Sequence, residues 1–132
     1  MKIDHIGIAT NGIEATASIY AATLGLGIAE IEEVAGQRVR VAMLPLGESR
    51  IELLEATSAD SPISKFLEKR GPGIHHIALN VPDIRASLAD LKSKGTRLID
   101  EEPRPGAGGC LVAFIHPSST GGVLIELVER PE

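Results

Sequence analysis

Aromatic side chains are almost missing from this chain: two Phe, one Tyr and no Trp stand among its 132 residues. A core with so few rings has to be aliphatic, built from Ile, Leu, Val and Ala. Lys and Arg form no run, and the net charge is −5, which argues against nucleic acid or an anionic membrane surface as the main partner. Basic residues stand singly or in pairs at Arg38, Arg40, Lys65, Lys69, Arg70 and Arg104, enough local positive charge for a small anionic ligand. Cys110 is the lone cysteine, so no intrachain disulfide forms and a reducing compartment, the cytoplasm, is expected. No apolar run approaches the roughly 18 residues of a membrane span, and neither a span nor a signal peptide is expected.

What is present is ordinary for a globular protein: 43% of the residues are hydrophobic, and the length suits one domain, 1–132. Residues 3–9 alternate as a strand. From Ile13 to Leu24 the apolar spacing is helical, with Gly25 placed to end the helix. Strands are expected over Ile28–Val34, Val39–Leu44 and Arg50–Glu55, with Pro45 and Gly47 marking a turn. Ser61-Pro62 opens a short helix that Gly71 stops. A second series begins at Gly73-Ile74-His75-His76-Ile77-Ala78-Leu79-Asn80-Val81. Its helix runs from Ile84 to Lys94, with Asp83 as cap and Gly95 as terminator. Arg97–Asp100 reads as a short strand, 103–109 as a Pro- and Gly-rich loop, and Leu111–Ile115 and Val123–Val128 as strands.

The two series are one pattern written twice. Shifted by 71 residues, Ile3, His5, Ile6, Ile13 and Ala15 fall on Ile74, His76, Ile77, Ile84 and Ala86. Shifted by 74, Ile51-Glu52-Leu53 falls on Ile125-Glu126-Leu127. Module one, 1–56, and module two, 73–132, are thus each a βαβββ unit, with a connecting helix in 57–72. The fold class is α+β, and the two sheets should join because neither module closes a core alone.

The repeat singles out His5 and Glu52 in the first module and His76 and Glu126 in the second. A Glu inside an apolar strand ordinarily faces solvent, and a lone His is more often a hydrogen-bonded surface or core residue than a ligand. Both types recurring in register favours a metal site, because a buried carboxylate needs a partner and two imidazoles with two carboxylates suit zinc, cobalt, nickel or manganese. His75 should point away from His76, since strand neighbours face opposite sides. His116 reads as a turn residue or a support to the site, Gly106-Ala107-Gly108-Gly109 as a hairpin, and Cys110 as packing.

Several stretches carry a family resemblance: Ile3-Asp4-His5-Ile6-Gly7-Ile8-Ala9, Asp60-Ser61-Pro62-Ile63-Ser64-Lys65-Phe66-Leu67 and Gly73-Ile74-His75-His76-Ile77-Ala78. Farther on come Asp100-Glu101-Glu102-Pro103-Arg104-Pro105-Gly106, then His116-Pro117 and Gly121-Gly122-Val123-Leu124-Ile125-Glu126-Leu127. With the paired modules they resemble the vicinal-oxygen-chelate superfamily of glyoxalase I, extradiol dioxygenases and fosfomycin-resistance proteins, and within it the methylmalonyl-CoA epimerases. The resemblance implies a curved eight-stranded mixed sheet around a metal cleft, and homodimers. It implies one divalent ion per site, cobalt first, or zinc, nickel or manganese, held by His5, Glu52, His76 and Glu126. The acyl-CoA substrate would chelate that ion through its carboxylate and thioester oxygens, with R/S epimerisation at C2 passing through a metal-stabilised enolate. Glu126 and Glu52 would be the catalytic carboxylates, and no further cofactor is implied.

The chain departs from the pattern at three places. Val41 stands where some epimerases carry Glu, Ser118 replaces a usually basic residue, and Glu52 stands where some use Gln. The alternatives are glyoxalase I, an extradiol dioxygenase with a two-histidine, one-carboxylate iron site, and a metal-free small-molecule-binding module of the same fold.

Overall fold

The computed structural model describes residues 1–132 and is α+β: eight strands in mixed pairing and three α-helices. Its contacts divide the chain into two compact units, His5–His75, and Met1–Asp4 together with His76–Glu132.

The first unit holds most of β1 (Lys2–Ala9), then α1 (Ile13–Leu24), β2 (Glu30–Val34), β3 (Val39–Leu46), β4 (Ser49–Ala56) and α2 (Pro62–Arg70). β1 runs parallel to β4, while β3 is antiparallel to both β4 and β2. Helix α1 lies on one face of this sheet, where Ile13 and Ala17 pack with Ala42, Leu44 and Leu53, flanked by Ile8, Tyr20, Leu26 and Ile51. Gly25 ends α1 as expected, at φ 69°, a left-handed conformation that costs glycine little. Ser61 caps α2 by accepting the Ile63 N–H, with Pro62 in the first turn.

The second unit repeats the plan with β5 (Gly73–Asn80, its first residues in the other unit), α3 (Ile84–Ser93), β6 (Arg104–Pro105), β7 (Leu111–Ile115) and β8 (Ile125–Glu129). β5 is parallel to β8, and β7 is antiparallel to β8 and β6. Helix α3 packs Ile84 and Leu88 against Ala113, Ile115 and Leu127. Both cores are aliphatic, as the shortage of rings requires. No helix is long and apolar enough to cross a membrane.

The expected element boundaries shift in places. β2 begins at Glu30 and not at Ile28. β3 continues through Pro45 to Leu46, so the turn is made by Gly47 and Glu48. Arg97–Asp100 is not a strand: only Leu98 bridges to Ile115, and the Asp100 carboxylate itself accepts the Phe114 N–H at 2.9 Å. A side chain there takes the place of a ladder bond. The outer strand of this sheet is instead Arg104–Pro105, inside the stretch read as a loop; proline is tolerated in such a position because an edge strand leaves one side without partners. β8 starts at Ile125 because the Val123 carbonyl is held in the preceding turn by the Thr120 hydroxyl at 2.6 Å. Lys94 is the C-cap of α3 and not its last helical residue.

Candidate metal centre

Each unit turns its helix to one face of its sheet and its histidine and glutamate to the other. In the first unit Ile8, Ile51 and Leu53 point toward α1. Period-two alternation then sends His5, Gly7, Glu52 and Leu54 to the opposite side. Gly7 lies directly across from Glu52. With no side chain there, the carboxylate has room to lean back along the strand toward His5, and Glu52 Oε2 lies 3.2 Å from His5 Nδ1. In the second unit Leu79 and Leu127 pack under α3, which leaves His76, Ala78 and Glu126 on the far face. Ala78, again small, is the partner of Glu126, and His76 Nε2 lies 3.2 Å from Glu126 Oε1. The four side chains are buried, each residue 5% exposed or less.

Two buried carboxylates, each against an imidazole nitrogen, are the donor set that a borderline divalent cation accepts. Each pair is therefore a candidate ligand group, and the residues present fit such an ion. His76 is also braced by Phe114, whose ring meets it edge-on with centroids 5.5 Å apart. Phe114 sits across from Glu126 on β7, where the first unit has Met43 across from Glu52.

The other sequence candidates are placed elsewhere. His75 is half-buried and packs edge-on against Phe66 of α2, at 5.1 Å between centroids, with the Arg70 guanidinium over the same phenyl ring. His116 is a turn residue, its Nδ1 accepting the Ser118 N–H at 3.0 Å. Cys110 is packed with Ala78, Val112 and Val128. Arg104 pairs with Asp100 at 3.1 Å, and Arg38 with Asp60 at 3.6 Å. Hydrogen bonding from Ser58, then the Arg38 charge, holds the Asp60 carboxyl below its usual range. On α2, Lys69 and Arg70 are exposed and Lys65 lies at the surface of the same helix.

Two devices escaped the sequence reading. The first is Asp4, a buried carboxylate beside His5, which receives Arg130 through two bonds of 2.7 and 2.9 Å and Asn80 through a third. The second is a carboxylate three residues beyond each ligand candidate: Glu55 accepts the Ile13 N–H and Glu129 the Ile84 N–H, both at 2.9 Å. Each thus takes one of the unsatisfied amides at a helix start. Glu55 is held in turn by Arg40 at 2.8 Å, and Arg40 also reaches Glu14. Those two carboxylates, Glu55 first, raise the Arg40 pKa. The signal was present in the repeat itself, as Glu52-Leu53-Leu54-Glu55 against Glu126-Leu127-Val128-Glu129.

Comparison with known proteins places these features in a family. Residues 4–114 match the model of the Glyoxalase/Bleomycin resistance protein/Dioxygenase superfamily. The chain is 44% identical to the uncharacterized protein YqjC of Bacillus subtilis, over 97% of this chain and 91% of that one. It is 39% identical to the ethylmalonyl-CoA/methylmalonyl-CoA epimerase of Cereibacter sphaeroides, over 96% of each. Among solved structures, a variant methylmalonyl-CoA epimerase of Streptomyces coelicolor in complex with 2-nitronate-propionyl-CoA is similar at a TM-score of 0.95. That similarity comes with 43% identity, over 98% of this chain and 94% of that one.

Proposed function

This chain belongs to the glyoxalase, bleomycin-resistance and dioxygenase superfamily, and we propose that it interconverts the two C2 epimers of methylmalonyl-CoA at one divalent metal held by His5, Glu52, His76 and Glu126. The observation that carries the reading is the twice-built buried imidazole–carboxylate pair, 3.2 Å in each unit. The names of the epimerase relatives, at 39% and 43% identity over nearly the whole chain, support the substrate.

The side chains divide the work. His5 and His76 present nitrogen donors beside the Glu52 and Glu126 carboxylates, whose oxygens lie 3.2 Å away. Lewis acidity at the thioester oxygen is what a divalent cation would supply there, easing loss of the C2 proton. Glu126 and Glu52 are the carboxylates proposed to move that proton. Their burial keeps bulk water from competing for it. Lys65, Lys69 and Arg70 are the cations proposed for the phosphates of the coenzyme. Cobalt as the metal, a homodimer and a cytoplasmic location complete the proposal.

The test is to purify the protein, measure bound metal and oligomeric state, and assay loss of optical activity from a single methylmalonyl-CoA epimer before and after chelator treatment. Epimerisation that disappears with the metal and returns with cobalt is the expected result. Glyoxalase I is the second reading, favoured by the carboxylate at Glu52. Lactoylglutathione formation without epimerisation would make it the better one. A protein that neither holds nor takes up a divalent ion would point to the metal-free binding module.

A further inference from the structure

Inverting a carbon by proton transfer calls for a group on each of its faces, or one group that moves between them, because a proton removed and returned on one side retains the configuration. Glu52 and Glu126 each lie 3.2 Å from a histidine nitrogen, and both are assigned to the metal, where either can take the C2 proton. The strand register therefore bears on which other proton-transferring group shares their surface.

Cross-strand partners project to the same face of a sheet. In the first unit the rung through Glu52 runs Gly7, Glu52, Met43, Glu30 from β1 to β2, and the next rung runs Ala9, Leu54, Val41, Glu32. Glu33 and Glu55 fall on the other face, the latter tied to the start of α1. The acidic groups sharing the Glu52 surface on these strands are thus Glu30 and Glu32. Glu30 is exposed, whereas Glu32 is half-buried at the end of a rung whose other members, Ala9, Leu54 and Val41, are all buried.

The repeat supplies an internal control. The equivalent rung of the second unit runs Asn80, Val128, Val112, Arg104. Both modules place a charged side chain at the same edge-strand position, beyond two buried aliphatic residues. In the second it is a guanidinium, which stays protonated and transfers nothing. Only the first module puts a group able to give and take a proton there. Two strand spacings across and one rung along set the Glu32 and Glu52 backbones about 12 Å apart. A small branched acyl carbon held between those two positions lies within reach of a glutamate side chain from either one.

We propose that Glu32 is the second acid–base residue of the epimerase, an assignment that rests on the epimerase reading above. In one direction a ligand-side carboxylate takes the C2 proton, the bonding pair moves into the thioester carbonyl, and Glu32, protonated beforehand, delivers its proton to the opposite face. The C2–H bond broken on one side is replaced by one formed on the other. The two carboxyls exchange protonation states and are reset by solvent or by the reverse turnover.

The experiment uses the full-length metal-loaded protein, each methylmalonyl-CoA epimer separately, and deuterated water, reading deuterium at C2 and configuration together. For Glu32→Gln, inversion should fall by about 100-fold or more. One epimer should still exchange its C2 hydrogen with retention while the other stops exchanging. Glu32→Gln combined with Val41→Glu, which moves the carboxylate one strand inward along the same rung, should regain inversion. Inversion at the wild-type rate in Glu32→Gln overturns the assignment. So does equal loss of exchange from both epimers, or a double variant that binds metal normally yet fails to invert. A wild-type protein that exchanges neither epimer sinks the epimerase reading itself, which separates the two failures.

Discussion

The two modules carry the same plan and finish it with different chemistry. Across from its ligand candidate the first places Met43 and the second Phe114. The first presents His5 Nδ1 to its carboxylate, the second His76 Nε2. At the helix start the first has Gly12, which offers no side chain, and leans on Glu55 held by Arg40. The second has Asp83, which accepts the Ala86 N–H, and Glu129 besides. At the outer rung Glu32 answers Arg104. Backbone register and apolar sidedness are shared between the copies, while the polar groups around them differ. A duplicated fold thus gives matching positions without matching roles.

The largest expected effects lie at the ligand candidates and measure how equivalent the two pairs are. Glu126→Ala should abolish epimerisation and weaken metal binding by at least about 100-fold, beyond what loss of a supporting contact costs. Metal titration by calorimetry reads this directly. Glu52→Ala should weaken binding too, but by less, because Met43 stands across from it where Phe114, which braces His76, stands across from Glu126. Equal losses would mean that the Phe114 packing adds nothing to ligand positioning. Retained activity in Glu126→Ala would remove that carboxylate from the mechanism.

The position of Asp4 separates the copies next, because its counterpart in the repeat is the half-buried His75. Arg130→Ala takes the guanidinium away from an Asp4 carboxylate that is 3% exposed, and should cost about 3 kcal/mol in urea unfolding. Asp4→Ala leaves a guanidinium that reaches water and should cost about 1–2 kcal/mol. The order of the two variants is the test. If Asp4→Ala proved the more harmful, the carboxylate would be doing more than partnering Arg130.

How much of this was legible in the chain follows from the range of each interaction. Helix ends were readable because Gly25, Ser61-Pro62 and Asp83 act within a turn of their own position. His76 could be ranked over His75 because alternation within a strand is local and the repeat supplied a second example. The Asp4–Arg130 pair joins residues 126 apart in the chain, and no local pattern announces it. The two-residue strand Arg104–Pro105 was hidden for a different reason: its identity as a strand rests on partners Val112 and Leu111, not on its own composition. The Pro- and Gly-rich stretch around it resembles a loop because much of it is one.

The helix starts give the finest comparison. Glu55→Ala removes both the acceptor for the Ile13 N–H and the partner of Arg40, and should cost about 2 kcal/mol. Glu129→Ala should cost about 1 kcal/mol, since Asp83 still caps α3. The converse variant repairs the side that lacks a cap. Gly12 is extended, at φ −174° and ψ 127°, and a Cβ there would meet nothing nearer than Glu55 Oε1 at 3.9 Å. Gly12→Ser therefore fits, and its hydroxyl can accept an amide that Glu55 does not reach. The expected gain is a few tenths of a kcal/mol, the usual difference between Gly and Ser at this position, seen as a higher urea midpoint at unchanged slope. In a Glu55→Ala background the same change should give an equal gain, because the hydroxyl and Glu55 serve separate amides. A larger gain in that background would mean that the two acceptors substitute for one another.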